Sequence, residues 1–117
     1  MDVIEVTREQ HQPQFLYLTT KGWKTGRDHK IEIWFVSYDN SYYVVSERKE
    51  EAHWAQNIMH QPKVKFTVNS KSFEGTGRAV DKLAEHKLTK HISSLMDTKY
   101  GWSDGLIVEL TPYNKQN

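Results

Sequence analysis

Residues 21–30 hold Lys21, Lys24, Arg27 and Lys30 against one acid, Asp28, together with Gly22 and Gly26. Apolar runs stand on both sides, Phe15-Leu16-Tyr17-Leu18 before and Ile31, Ile33, Trp34, Phe35 and Val36 after. A short polar, glycine-bearing stretch between two β-prone runs reads as a strand, a turn and a return strand. The pairing is then local and antiparallel, and three excess positive charges land on one hairpin tip. Glycine opens backbone geometries closed to other residues, and successive N–H groups at such turns can cradle an anion. Lys adds a mobile point charge and Arg a planar fork suited to phosphate. A solvated loop has the same composition, and the residues alone leave the two readings level.

The rest of the chain extends the antiparallel pattern. Residues 1–14 read as a loop leading into a first strand over Phe15 to Thr20. Lys30 to Tyr38 alternates, with Ile31, Ile33 and Phe35 on one face and Lys30, Glu32 and Trp34 on the other. Asp39-Asn40-Ser41 supplies hairpin residues, and Tyr42 to Ser46 makes a third strand. From Ser46 to about His60 the period changes to that of a short amphipathic helix, with Ala52, Ala55 and Met59 in phase and Pro62 ending it. Val64, Phe66 and Val68 mark a fourth strand, and Ser72 to Val80 a fifth. The small residues Gly75 and Gly77 in the fifth strand predict a close approach by another backbone. Asp81 is placed as the N-cap of a second helix ending near Asp97, followed by a loop over 98–105 and a last strand, Leu106 to Leu110. Six strands and two short helices predict a mainly β domain over residues 1–117, a six-stranded antiparallel split β-barrel rather than a parallel doubly wound sheet.

Several function classes drop out. The net charge of +1 gives no global case for nucleic acid. The absence of cysteine excludes disulfides, thiolate metal sites and cysteine nucleophiles. His53 and His60 are seven apart and His86 and His91 five apart, so neither pair has the spacing of three or four that brings two ligands together on a helix, and no metal is expected. Gly75-Thr76-Gly77 lacks the rest of a dinucleotide fingerprint. No apolar run approaches the ~20 residues of a membrane span, and the first residues lack the basic and apolar regions of a signal peptide, which makes a cytoplasmic protein the expectation.

A second constellation sits beyond the hairpin: Val45-Ser46-Glu47-Arg48, then Trp54 and Asn57, then Gln61-Pro62-Lys63-Val64. Together with Thr19-Thr20-Lys21-Gly22-Trp23-Lys24-Thr25-Gly26-Arg27 and the strand behind it, this resembles the deazaflavin-dependent nitroreductases and quinone reductases. Those enzymes belong to the flavin-binding split-barrel superfamily, with pyridoxamine phosphate oxidase as a distant relative. The likeness runs from Tyr17 to Val80, with Gln61 where the family has Asn before the proline.

The resemblance implies a cofactor, 8-hydroxy-5-deazaflavin, with FMN as the alternative because both share the ribityl phosphate. It places Lys24, Thr25, Gly26 and Arg27 on the phosphate tail, and Phe35 and Val36 under the ring. Ser46 with the neighbouring Glu47 and Arg48 falls at the ring's polar edge, while Trp54 and Asn57 close the pocket. It places Tyr100, in the loop before the last strand, in the substrate site as the catalytic proton donor. A reduced deazaflavin brings its own hydride, so the fold need only bind, orient and exclude water. The implied reaction is hydride transfer to a small nitro, quinone or enone acceptor, and the superfamily's habit leaves room for a homodimer. Two rivals stand beside it: a carrier that binds flavin or deazaflavin without turnover, and a small barrel that stacks single-stranded nucleic acid on its aromatics, which the low net charge disfavours.

Overall fold

The computed structural model describes residues 14–113. The loop expected over residues 1–14 lies outside the described residues except for Gln14. Alternation puts Leu16 and Leu18 of β1 (Phe15–Lys21) inside, and Ile31, Ile33 and Phe35 of β2 (Asp28–Tyr38) beside them. These two strands pair from Phe15↔Trp34 to Lys21↔Asp28. A two-residue turn at Asp39 and Asn40, both at positive φ, leads into β3 (Ser41–Ser46). A single 3-10 turn, Lys49–Glu51, precedes α1 (His53–His60). Then come β4 (Lys63–Val68), β5 (Lys71–Ala79), α2 (His86–Tyr100) and β6 (Leu106–Pro112). The strands run β1-β2-β3-β6-β5-β4 and close where β1 meets β4 at Leu18↔Phe66, so the expected six-stranded antiparallel barrel with two helices is what forms.

Two cores result. The barrel interior packs Leu16, Leu18, Phe35, Val44, Val64, Phe66, Val108 and Leu110, and Ile58 of α1 joins that core. Outside the wall, Ile92 and Met96 of α2 cover Val36, Tyr43, Val45 and Ile107. Full burial of such side chains stabilises by about 1.5–3 kcal/mol each before entropy is counted, which fixes both helices on the barrel. Among the described residues no helix is long and apolar enough to cross a membrane.

The close approach expected at Gly75 is present. A Cβ there would lie 2.1 Å from the Thr111 carbonyl oxygen on β6. Because the obstacle is backbone, Gly75→Ala is expected to destabilise by about 1–3 kcal/mol, read as a lower urea midpoint at an unchanged m-value.

The sequence reading placed two boundaries wrongly. Asp81 does not cap α2. Its Oδ1 accepts the N–H groups of Leu83 (3.0 Å) and Ala84 (3.2 Å), closing a separate turn, and the helix begins at His86. At its far end the helix passes Asp97 and runs to Tyr100, because Gly101 at φ 74° supplies the left-handed C-cap and donates to the Asp97 carbonyl at 2.8 Å. Tyr100 therefore sits on a helix, not in a loop.

Arg78 of β5 ties this region together, with Nε 2.7 Å from Glu109 and both terminal nitrogens on Glu85. The Arg78 hydrogen bonds, and after them the Asp81 N–H, hold the Glu85 carboxyl down at about 2 from its ordinary 4.5. A lowered folded-state pKa contributes stability above the unfolded value and loses it on acidification. The melting temperature is therefore expected to fall as pH drops from about 4.5 towards about 2, and Arg78→Met to flatten that fall in a thermal-melt series.

Candidate functional site

The β1–β2 tip is built by its own backbone. Gly22 N–H donates to the Arg27 carbonyl and Gly26 N–H to the Gly22 carbonyl, each at 2.7 Å, and Arg27 N–H donates to Thr25 Oγ1 at 3.1 Å. Gly26 stands at φ 75°, the left-handed geometry that glycine takes without strain. Of the four cations, Lys21 pairs with Asp28 at 3.2 Å and Lys30 lies over the Tyr17 ring at 5.4 Å. Lys24 and Arg27 remain at the exposed tip, with Lys24 Nζ 5.1 Å from the Trp23 ring centre.

Helix α1 holds the tip from below. Asn57 is 4% exposed. Its Oδ1 accepts the Trp23 N–H at 3.2 Å and its Nδ2 donates to Thr20 Oγ1 at 3.0 Å. One turn on, the His60 ring stacks on Trp23 at 3.9 Å and 13°. A cavity of about 290 Å³ results, lined by Trp23, Lys24, Thr25, His29, His53 and Asn57 among others.

A larger cavity adjoins this small one. His29 and His53 line both, and the second, of about 1050 Å³, continues over Ile31, Ile33, Trp34, Trp54 and Trp102 with Ser46, Glu47 and Arg48 at its polar side. Together the two adjoining cavities form a groove wall that is cationic at the tip and aromatic at the far end. Ser46 is buried at the end of β3, and its hydroxyl donates to the Lys49 carbonyl at 2.8 Å, fixing the turn that carries Glu47 and Arg48.

The expected site residues distribute unevenly over this groove. Lys24, Thr25 and Asn57 line the small cavity; Ser46, Glu47, Arg48 and Trp54 line the large one; Gly26 and Arg27 shape the tip without lining either. Phe35 and Val36 line neither: Phe35 belongs to the barrel interior and Val36 to the core under α2. Tyr100 also stands outside both cavities. Its hydroxyl accepts the Phe35 N–H at 3.0 Å, and its proton is shared between the carbonyls of Phe35 (2.7 Å) and Gln14. Burial raises the Tyr100 phenol above its usual value, against the pull of the Phe35 bond, so it stays neutral. A proton donor must reach the reacting atom, whereas this hydroxyl is committed to backbone. Residues that the sequence reading did not assign, His29, Ile31, Ile33, Trp34, His53 and Trp102, make up much of the groove.

A family model described as F420H(2)-dependent quinone reductase matches residues 1–103. The chain belongs to that family. It is accordingly a deazaflavin-dependent oxidoreductase. No curated protein matches the sequence. Among solved structures, an F420-H2 dependent reductase (FDR-A) is 20% identical, with a TM-score of 0.59 over 85% of this chain and 95% of that one. The heme storage protein HutZ from Vibrio cholerae is 17% identical, with a TM-score of 0.73 over 97% and 91%. An FAD-binding protein from Mesorhizobium loti is 13% identical, with a TM-score of 0.66 over 97% and 90%. At these identities the structures share the fold.

The family's cofactor suits the groove of this quinone reductase relative. A deazaflavin joins a flat tricyclic ring to a phosphate-bearing tail, and the groove joins an apolar aromatic end to a cationic tip. Lys24, Thr25 and the tip backbone, with Arg27 beside them, would hold the phosphate, while Ile31, Ile33 and Trp54, with the Ser46–Arg48 turn, would bound the ring.

Proposed function

We propose that this protein reduces a small quinone, nitro or enone acceptor by two electrons, with a quinone as the preferred class. The observation that carries the reading is a pair of adjoining cavities that share His29 and His53, one at Lys24 and Thr25 and the other reaching the aromatic end at Trp34 and Trp102. A reduced deazaflavin, when bound, supplies a hydride to the acceptor, which takes up one proton to complete its reduction. The chain's own residues bind and orient. The tip neutralises the tail, the strand side chains of β2 give the rings a flat apolar surface, and Trp54 and Trp102 keep water from the reacting atoms. His29 and His53 line both cavities, and an imidazole there is placed to relay the proton.

Titration of the purified protein with deazaflavin and, separately, with FMN tests the reading, followed by menadione reduction with the reduced cofactor. Tighter binding of deazaflavin and turnover of menadione are expected. Preference for FMN would move the protein to the flavin-dependent branch of the fold. Deazaflavin binding without turnover of any acceptor would make it a carrier, and no binding of either would overturn the proposal.

A further inference from the structure

Trp34 stands in the outward phase of β2, between Glu32 and the end of the pairing with β1, and is 39% exposed. An exposed strand tryptophan would ordinarily sample several rotamers. Here it is clamped. The Tyr100 ring lies parallel against it at 4.4 Å and 5°, and Trp102 meets it edge-on at 6.4 Å and 69°. What those rings leave uncovered lines the large cavity.

The clamp is itself anchored. The β1–β2 ladder ends at Phe15↔Trp34, so the next rung would pair Gln14 with Phe35. The Tyr100 hydroxyl occupies that rung, taking the Phe35 N–H and facing the carbonyls of Phe35 and Gln14. Lys99 adds a bond from Nζ to the Phe35 carbonyl at 3.0 Å and lies 4.2 Å from the Phe35 ring centre. The last turn of α2 thus ends the strand pairing and fixes the indole in one operation.

We infer that Trp34 is the stacking platform for a planar, electron-poor acceptor, and that Tyr100 serves as a positioning residue behind it. The inference rests on the acceptor reading above and deepens it. An electron-rich indole pairs best with an electron-poor flat ring, in an offset stack. Quinones and nitroaromatics are such rings, and a non-planar enone is not. A platform held from behind loses little rotamer freedom when the acceptor arrives, which favours binding.

The test uses Trp34→Leu, which keeps apolar bulk, and Tyr100→Phe, which keeps the stacked ring and removes the hydroxyl. Menadione binding to the protein alone is measured by calorimetry; then kcat and KM are measured for menadione and for cyclohexenone. In W34L, menadione affinity is expected to fall about tenfold. The menadione-to-cyclohexenone preference in kcat/KM should fall by the same factor, through KM rather than kcat, with deazaflavin affinity retained. In Y100F the same preference should fall about threefold, together with a smaller near-ultraviolet circular dichroism signal from the stacked rings. Equal menadione affinity in wild type and W34L would overturn the platform, whether or not turnover is found. So would an equal loss of deazaflavin affinity in W34L, which would assign the indole to the cofactor. A failure of the oxidoreductase reading would appear instead as no deazaflavin binding by the wild type.

Discussion

Replacing Lys24 and Arg27 together with alanine is expected to weaken deazaflavin binding about 100-fold. The figure takes roughly 1.5 kcal/mol for each charge-assisted contact to an anion and about 1.4 kcal/mol per tenfold change. These two cations are chosen because they stand at the exposed tip, Lys24 on the wall of the small cavity, whereas Lys21 faces Asp28 and Lys30 lies over Tyr17 on the strand. The tip itself should survive. Its shape comes from backbone bonds between Gly22, Gly26 and Arg27 and from Asn57, so an unfolding midpoint within about 0.5 kcal/mol of wild type is expected. Exposed charges are screened over about 8–10 Å at ordinary ionic strength. The wild-type affinity should therefore fall with added salt, and the double variant should respond less. Lys21→Ala is the control, with a smaller loss because removing it also frees Asp28. An unchanged affinity in the double variant would return the tip to an ordinary solvated hairpin.

The fold was legible where the signal was local. Two-residue turns with Asn, Asp and Ser, alternation in β2 and β4, and the helical period over 52–59 all act within a few residues of themselves. The order of the strands around the barrel follows from those hairpins, and the closing β1–β4 pair from having no other edge to meet. Errors arose where a distant partner decided. Asp81 looked like a cap, yet Arg78 draws Glu85 into a separate turn and delays the helix to His86. Tyr100 looked like a loop residue, yet an unfilled rung at Phe35, 65 positions away, gives its hydroxyl a reason to lie on the barrel.

The site shows the same division. The cationic tip was visible because charge and glycine sit together in the chain. The ring surface was assigned to Phe35 and Val36, although the alternation already sent Phe35 inward. The informative residue was Trp34, an aromatic in the polar phase of its strand between Glu32 and the exposed end of β2. A large apolar side chain on a solvent-facing position calls for a partner or a ligand, and here it has both: two rings behind it and a cavity in front. Nothing local marks Asn57 as buried, since its burial depends on the hairpin tip 34 residues before it folding onto α1.

That burial makes Asn57→Leu the second large effect. Leucine has similar volume but leaves the Thr20 hydroxyl, itself 1% exposed, and the Trp23 N–H without their partner. Each orphaned group costs about 1–3 kcal/mol, so a loss of about 3 kcal/mol in urea unfolding is expected. Deazaflavin binding should weaken as well, because the tip loses its tether to α1. Asn57→Asp separates the two effects. Its carboxylate can still accept the Trp23 N–H, and the Thr20 hydroxyl can turn to donate to it, so the network keeps its bonds and most of its stability. The variant instead places a negative charge on the wall of the small cavity beside Lys24 and Thr25. An anionic tail should then bind poorly where the carboxyl is ionised and recover as the pH is lowered through its pKa, which burial at this position raises. Near-native stability with pH-dependent loss of affinity in N57D, set against lost stability in N57L, would assign the anion site to the surface that α1 and the hairpin build together. Wild-type stability and affinity in both would mean that the hairpin stands by its own backbone bonds and that α1 has no part in the site.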